Sequence, residues 1–144
     1  TFATTGADSG NAPAQVFHFG SMTIPRASGT LTKAGYYVSG WTINGVNYPF
    51  GSSFNLTSDV TASPIWSQYS ITYSSIPTYS GTVPTATRGY GATTLAGVTG
   101  LAQQPTRSGF AFGGWVIGGV VYQPGDSYNL TGNVTAFVRW VRSR

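Results

Sequence analysis

The chain has 144 residues, 40% of them hydrophobic and 15% aromatic, but only 7% charged, with a formal net charge of +4. The absence of cysteine excludes disulfide staples, and one histidine (His18) with three aspartates (Asp8, Asp59, Asp126) and no glutamate excludes an obvious metal cage. Average soluble proteins carry roughly 25% charged residues, so this surface is covered mainly by hydroxyls, amides and glycine, as suits an extracellular or assembled protein.

Thr1-Phe2 reads as the inside of a first strand, so an upstream portion is expected. No charged-then-apolar leader opens the sequence, and for a secreted protein the signal is expected to be removed or to lie upstream. Helix signals are poor: the best candidates, Ser28 to Lys33 and Leu95 to Gln103, are weakened by glycine and threonine. Residues 36–43 alternate as a strand, with Tyr37, Trp41 and Ile43 on one face and Val38 on the other. Asn44-Gly45 follows as a type I′ hairpin turn. Val46 to Tyr48 returns, Pro49 and Gly51 end it, and Asn55-Leu56-Thr57 reads as the turn into a last strand. That strand places Val60, Ala62, Pro64 and Trp66 on one face. The whole reads as a three-stranded antiparallel meander, followed by a very short linker at Ser67 to Ser70.

The chain then repeats itself. Gly35–Trp66 lies without a gap over Gly109–Trp140 at an offset of 74 residues, with 16 of 32 positions identical. Gly118-Gly119 takes the place of Asn44-Gly45, so two sequences serve one turn. The early parts correspond more loosely, Thr1-Phe2 with Thr72-Tyr73 and Gly10–Pro13 with Gly81–Pro84, at an offset of 71. Repeat 1 is therefore placed at 1–67 and repeat 2 at 68–144. Each is near the lower size limit for a self-sufficient core, and aromatic packing must do the work of a staple. Trp41 with Trp66, and Trp115 with Trp140, supported by Tyr48 and Tyr122, are the expected structural core. Asn44, Gly45, Gly118 and Gly119 are the expected turn residues.

None of the identical positions is a His, Cys, Asp, Glu, Lys or Arg. The duplicated object is a fold rather than a reactive site, because catalysis needs dissimilar groups converging once. His18 lacks the nucleophile and orienting acid of a triad. Asp59 and Asp126 fall at different repeat positions and read as turn and cap residues. Lys33 is matched by Arg107, which rules out a lysine cross-link common to both repeats. The sequons at Asn55, Asn129 and Asn133 could accept glycans in a eukaryotic secretory pathway. Tyr36, Tyr69, Tyr79 and Tyr90 are candidates for stacking on sugars. Arg139, Arg142 and Arg144 form a weak basic tail that aids solubility, and no nucleic-acid partner is expected. No apolar run approaches the ~18 residues needed to span a bilayer.

The ordered set Gly35, Gly40, Trp41, Tyr48, Gly51, Leu56, Thr57, Val60, Thr61 and Trp66 recurs as Gly109, Gly114, Trp115, Tyr122, Gly125, Leu130, Thr131, Val134, Thr135 and Trp140. It resembles the Listeria-Bacteroides repeat, also met as the internalin B-repeat. The resemblance covers both halves and implies small β-grasp-like modules strung in tandem in surface-attached or secreted proteins, mostly bacterial. It implies neither catalytic residues nor a cofactor. ATTGADSG and SSIPTYSG stand where the family usually writes an Asn-Gly-Gly-like turn, and the low charge is no requirement of its pattern.

The fold class expected is mainly β, α+β at most, as two tandem β-grasp-like repeats with antiparallel sheets and little helix. The expected function is a non-enzymatic extracellular or cell-surface structural repeat, a stalk, spacer or assembly unit of an adhesin or fibre. Its expected partners are neighbouring repeats or copies of the same chain. A carbohydrate-binding module taking a surface glycan, and a subunit of a homopolymeric filament or virion, are the alternatives.

Overall fold

A computed structural model describes residues 1–74, 81–98 and 104–142. Strands, turns and irregular backbone account for all of them, with no helix among the described residues. The chain divides into unit 1, Thr1–Gln68, and unit 2, Tyr69–Arg144.

Unit 1 contains β1 (Gly20–Thr23), β2 (Tyr37–Ile43), β3 (Val46–Pro49), β4 (Ser53–Leu56) and β5 (Ser63–Ser67). Asn44 at φ 52° and Gly45 at φ 78° join β2 to β3, the left-handed pair that a type I′ hairpin requires. β4 then leaves this sheet and pairs antiparallel with β1, Gly20 opposite Leu56 and Met22 opposite Phe54. The chain re-enters on the far side of β2, giving the antiparallel order β3-β2-β5. This corrects the expected meander: the excursion of β4 forces β5 past β3 to the other edge of β2. It also corrects the reading of Asn55-Leu56, which lies in β4 rather than in a turn.

Unit 2 contains β6 (Tyr69–Ser74), β7 (Thr87–Gly89), β8 (Gly91–Thr94), β9 (Phe110–Ile117), β10 (Val120–Tyr122), β11 (Ser127–Leu130) and β12 (Val134–Arg142). Its main sheet has the order β10-β9-β12-β6-β7, and β8 pairs with β11. Gly118 at φ 57° and Gly119 at φ 82° make the β9-β10 turn. The first strand β6 runs parallel to β12, with Thr72 opposite Thr135 and Tyr73 opposite Ala136. Unit 1 keeps one isolated rung of that parallel pairing, Phe2 with Ala62. Ser67 ends β5 and Tyr69 begins β6, so the expected linker at Ser67 to Ser70 is mostly strand.

Strict alternation fails in one place in each unit. The register of β2 on β5 shifts between Val38 and Gly40, so Val38 faces Trp66 while Trp41 faces Pro64. Trp66 and Pro64 are two apart and share a face, hence Val38 and Trp41 share one too. This corrects the placement of Val38 opposite Trp41; a bulge changes the phase of every residue beyond it. β9 carries the same shift against β12. On the opposite edge the hairpin partners lie close: a Cβ on Gly40 would lie 2.3 Å from the Tyr48 carbonyl oxygen, and one on Gly114 would lie 2.5 Å from that of Tyr122.

The helix candidate at Ser28 to Lys33 is instead a turn and bridge. Gly29 has φ 62°, and Thr30 N–H donates to the Asn11 carbonyl at 2.8 Å, so the backbone is engaged across the chain rather than along it. Leu95–Val98 is irregular, and residues 99–103 of the second candidate lie outside the described residues. Both units close their core with the same backbone exchange. Ile24 N–H reaches Ser52 O at 2.7 Å and Gly51 N–H reaches Ile24 O at 3.0 Å; Leu95 N–H reaches Asp126 O and Gly125 N–H reaches Leu95 O, both at 2.9 Å.

Candidate functional site

The two central tryptophans have no solvent exposure. Trp41 lies in the unit 1 core with Ile24, Leu31, Ile43 and Ala62, its ring centroid 4.8 Å from Phe2. Trp115 lies with Ile71, Leu95, Leu130 and Ala136, 4.7 Å from Tyr73. Trp115 Nε1–H donates to the Ala96 carbonyl at 2.8 Å, whereas Trp41 Nε1 meets no acceptor among the described residues. Trp66 and Trp140 are partly buried against these cores, as are Tyr48 and Tyr122. Tyr48 meets Phe54 edge-on at 5.1 Å and Tyr122 meets Tyr128 edge-on at 5.3 Å. Trp41 and Trp115 therefore present no surface to a ligand.

A second matched feature opens the third quarter of each repeat. Tyr36 N–H donates to Lys33 O and Phe110 N–H to Arg107 O, each at 3.0 Å, across turns whose third residues, Gly35 and Gly109, have φ 78° and 79°. The turn folds the cation back over the ring: Lys33 Nζ is 4.4 Å from the Tyr36 centroid and Arg107 Cζ is 3.7 Å from that of Phe110. Such contacts contribute ~0.5–1 kcal/mol at exposed sites. The Lys33 amine is thus engaged with aromatic faces, and Asp8 caps the same turn by accepting the Ala34 N–H at 2.8 Å. Asp126 likewise accepts the Gln123 N–H at 2.8 Å.

Unit 1 also holds a cleft of about 370 Å³, between the segment Gln15–Phe19 and a wall that includes Phe2, Ile24, Asp59 and Ala62. His18 is on this rim, its Nε2 2.9 Å from Ser21 O. Phe17 and Phe19 stand 85% and 81% exposed beside it. Neither phenylalanine is among the residues expected at a site. The available signal was that apolar Val16 and Phe17 replace Thr87 and Arg88 of the second copy. Tyr36 and Tyr69 are partly buried and Tyr90 is 42% exposed; Tyr79 and Arg144 lie outside the described residues. No three His, Cys, Asp or Glu gather among the described residues, and no helix there is long and apolar enough to cross a membrane.

The Listeria-Bacteroides repeat domain model matches the chain twice, over residues 1–62 and 69–137. No curated protein and no solved structure matches the chain. The two matches together cover most of the sequence, and the chain belongs to the Listeria-Bacteroides repeat family.

Proposed function

From that membership we propose that the chain is a non-enzymatic structural segment of an extracellular or cell-surface protein, two repeats serving as stalk or spacer. The single observation that supports this best is what the copies share. They share the buried Trp41 and Trp115, the left-handed turns, the bulges and the parallel rung at Phe2 or Tyr73. They differ at the histidine and the aspartates: His18 against Gly89, Asp59 against Asn133, Asp126 against Ser52. Selection that keeps a scaffold and lets reactive groups drift suits a repeat whose job is shape. On this reading Trp41, Trp66, Trp115, Trp140, Tyr48 and Tyr122 are structural, and Asn44, Gly45, Gly118 and Gly119 set the hairpins.

The test is surface labelling of intact cells that make the protein, with an antibody to the folded repeats. Signal without permeabilisation supports the reading; signal only after lysis overturns it.

Lateral assembly is a second reading, favoured by one observation. The edge strands β3 and β10 carry Val46 and Val120, each 52% exposed, and neither strand contains the charged residues that commonly guard an edge. Copies of the chain pairing along these edges would cover them. A monodisperse monomer at high concentration removes this reading and leaves the stalk.

A further inference from the structure

The outer face of the unit 2 sheet is apolar where the matched face of unit 1 is polar. In β12 the side chains of Ala136 and Val138 are buried in the core, so period two turns Phe137 and Arg139 to the other side, where both are exposed. The register places Val116 opposite Phe137 on one side and opposite Val121 on the other. Val121, Val116 and Phe137 therefore form one row across β10, β9 and β12. Val121 is 44% exposed and Phe137 42%, although β9 and β12 have paired neighbours on both sides. The row is thus an open face of the sheet rather than an unpaired edge.

The same row in unit 1 holds Asn47, Thr42 and Ser63, at the offset of 74 residues and in the same pairing. There Thr42 Oγ1 donates to Asn47 Oδ1 at 2.7 Å, and the hydroxyls of Ser39 and Ser67 meet at 2.6 Å. Unit 2 replaces that second pair by Gly113 and Val141. One scaffold accepts polar residues at all of these positions, so the fold does not require the apolar ones. Apolar side chains gathered on an exposed face without a role in the core mark a contact surface.

Charge identifies the partner. Unit 1 balances Arg26 and Lys33 against Asp8 and Asp59, so the net +4 of the chain resides in unit 2, as Arg88, Arg107, Arg139, Arg142 and Arg144 against Asp126. None of the five strands of the unit 2 main sheet contains Asp or Glu. Arg139 follows Phe137 by two residues on the same face, about 7 Å along the strand, and a guanidinium fork is matched by a carboxylate. A second copy would bring like charge to this face, which disfavours self-association there. We propose that the outer face of the unit 2 sheet docks an acidic protein segment, with aliphatic side chains on the row of Val121, Val116 and Phe137 and a carboxylate on Arg139. Unit 1 has the scaffold without the face, so the two repeats are unequal in binding. The inference goes beyond the stalk reading and holds wherever the chain is displayed, so the two fail separately.

The test pans a random dodecapeptide display library against the full chain, after depletion on the triple variant Val116→Thr, Val121→Asn, Phe137→Ser. That variant carries what unit 1 already holds at these places, and circular dichroism should show it folded like the parent; if it unfolds, depletion uses Arg139→Glu, which alters only an exposed side chain. Enriched peptides should combine aliphatic residues with Asp or Glu. A synthetic copy of the commonest one should shift the amide resonances of residues 116, 121, 137 and 139 and leave those of 42, 47 and 63 unmoved. Phe137→Ser and Arg139→Glu should each weaken its binding at least about tenfold, and added salt should weaken binding to the parent. Absence of enrichment, enrichment of basic or uncharged peptides, or an unchanged affinity in Arg139→Glu overturns the proposal. Light scattering that shows a dimer of the parent and a monomer of the triple variant would assign the face to a second copy. Cosedimentation with phosphatidylglycerol vesicles that the triple variant loses would assign it to a membrane, and either result overturns the acidic segment.

Discussion

Trp115→Ala is the substitution that most sharply separates a structural tryptophan from a binding one. Trp115 has no solvent exposure, packs 4.7 Å from Tyr73 and 5.2 Å from Phe112, and donates to Ala96 O at 2.8 Å. A buried indole removes ~150–250 Å² from water, which at ~25 cal/mol per Å² is about 4–6 kcal/mol. Core substitutions of this kind cost ~3–5 kcal/mol. A unit of about 75 residues has a total stability of ~4–11 kcal/mol, so the loss takes much or all of it. Urea denaturation followed by circular dichroism, with amide exchange in β9 and β12, should show unit 2 unfolded or melting at far lower urea. Trp115→Phe keeps a ring against Tyr73 but loses the donor to Ala96, and should fall between the parent and Trp115→Ala. A Trp115→Ala protein that melts like the parent would show that the indole does not hold the unit 2 core together. If it also loses binding to an oligosaccharide, Trp115 belongs to a sugar site.

Gly118→Asn should be neutral or stabilise by up to ~1 kcal/mol, because Asn44 holds the same turn position at φ 52° and a Cβ there meets nothing within 4 Å; a loss above ~1 kcal/mol in thermal denaturation counts against the shared turn. Gly10→Ala and Gly81→Ala should each destabilise their unit severely, since the added Cβ would lie 1.9 Å from Thr30 O or 2.0 Å from Gln104 O. Gly20→Ala, at φ 96° with open space around it, is the control, and equal midpoint shifts at Gly10 and Gly20 would deny the close approach. Tyr73→Phe should cost ~1–3 kcal/mol. Its hydroxyl bridges Thr87 Oγ1 at 2.7 Å and Ala96 N–H at 2.9 Å, and an unchanged midpoint would remove that bridge from the account.

The parts legible in the sequence are those with local causes. Asn44-Gly45 and Gly118-Gly119 announce their hairpins because few dipeptides accept two left-handed residues, and the Val60–Trp66 alternation is written in period two. The strand order was not legible, since nothing near Ser53–Leu56 says that it pairs with Gly20–Thr23 rather than with its neighbours in sequence. Gly40 and Gly114 are both kept where the backbone of the hairpin partner sits in the place of a Cβ, but neither glycine reveals the register shift on the other edge of its strand. The parallel pairing of β6 with β12 was not legible either, because its partners lie more than 60 residues apart.

One scaffold is built twice, its opening segment pairing in parallel with its closing segment, as strands β6 and β12 in unit 2 and as the single rung Phe2 with Ala62 in unit 1. Cross-strand nuclear Overhauser effects in the full chain test it most directly. Contacts are expected between Phe2 and Ala62 and between Met22 and Phe54, matched by Tyr73 with Ala136 and Thr93 with Tyr128. Contacts of β3 with β5, or of β10 with β12, would restore a meander and contradict it.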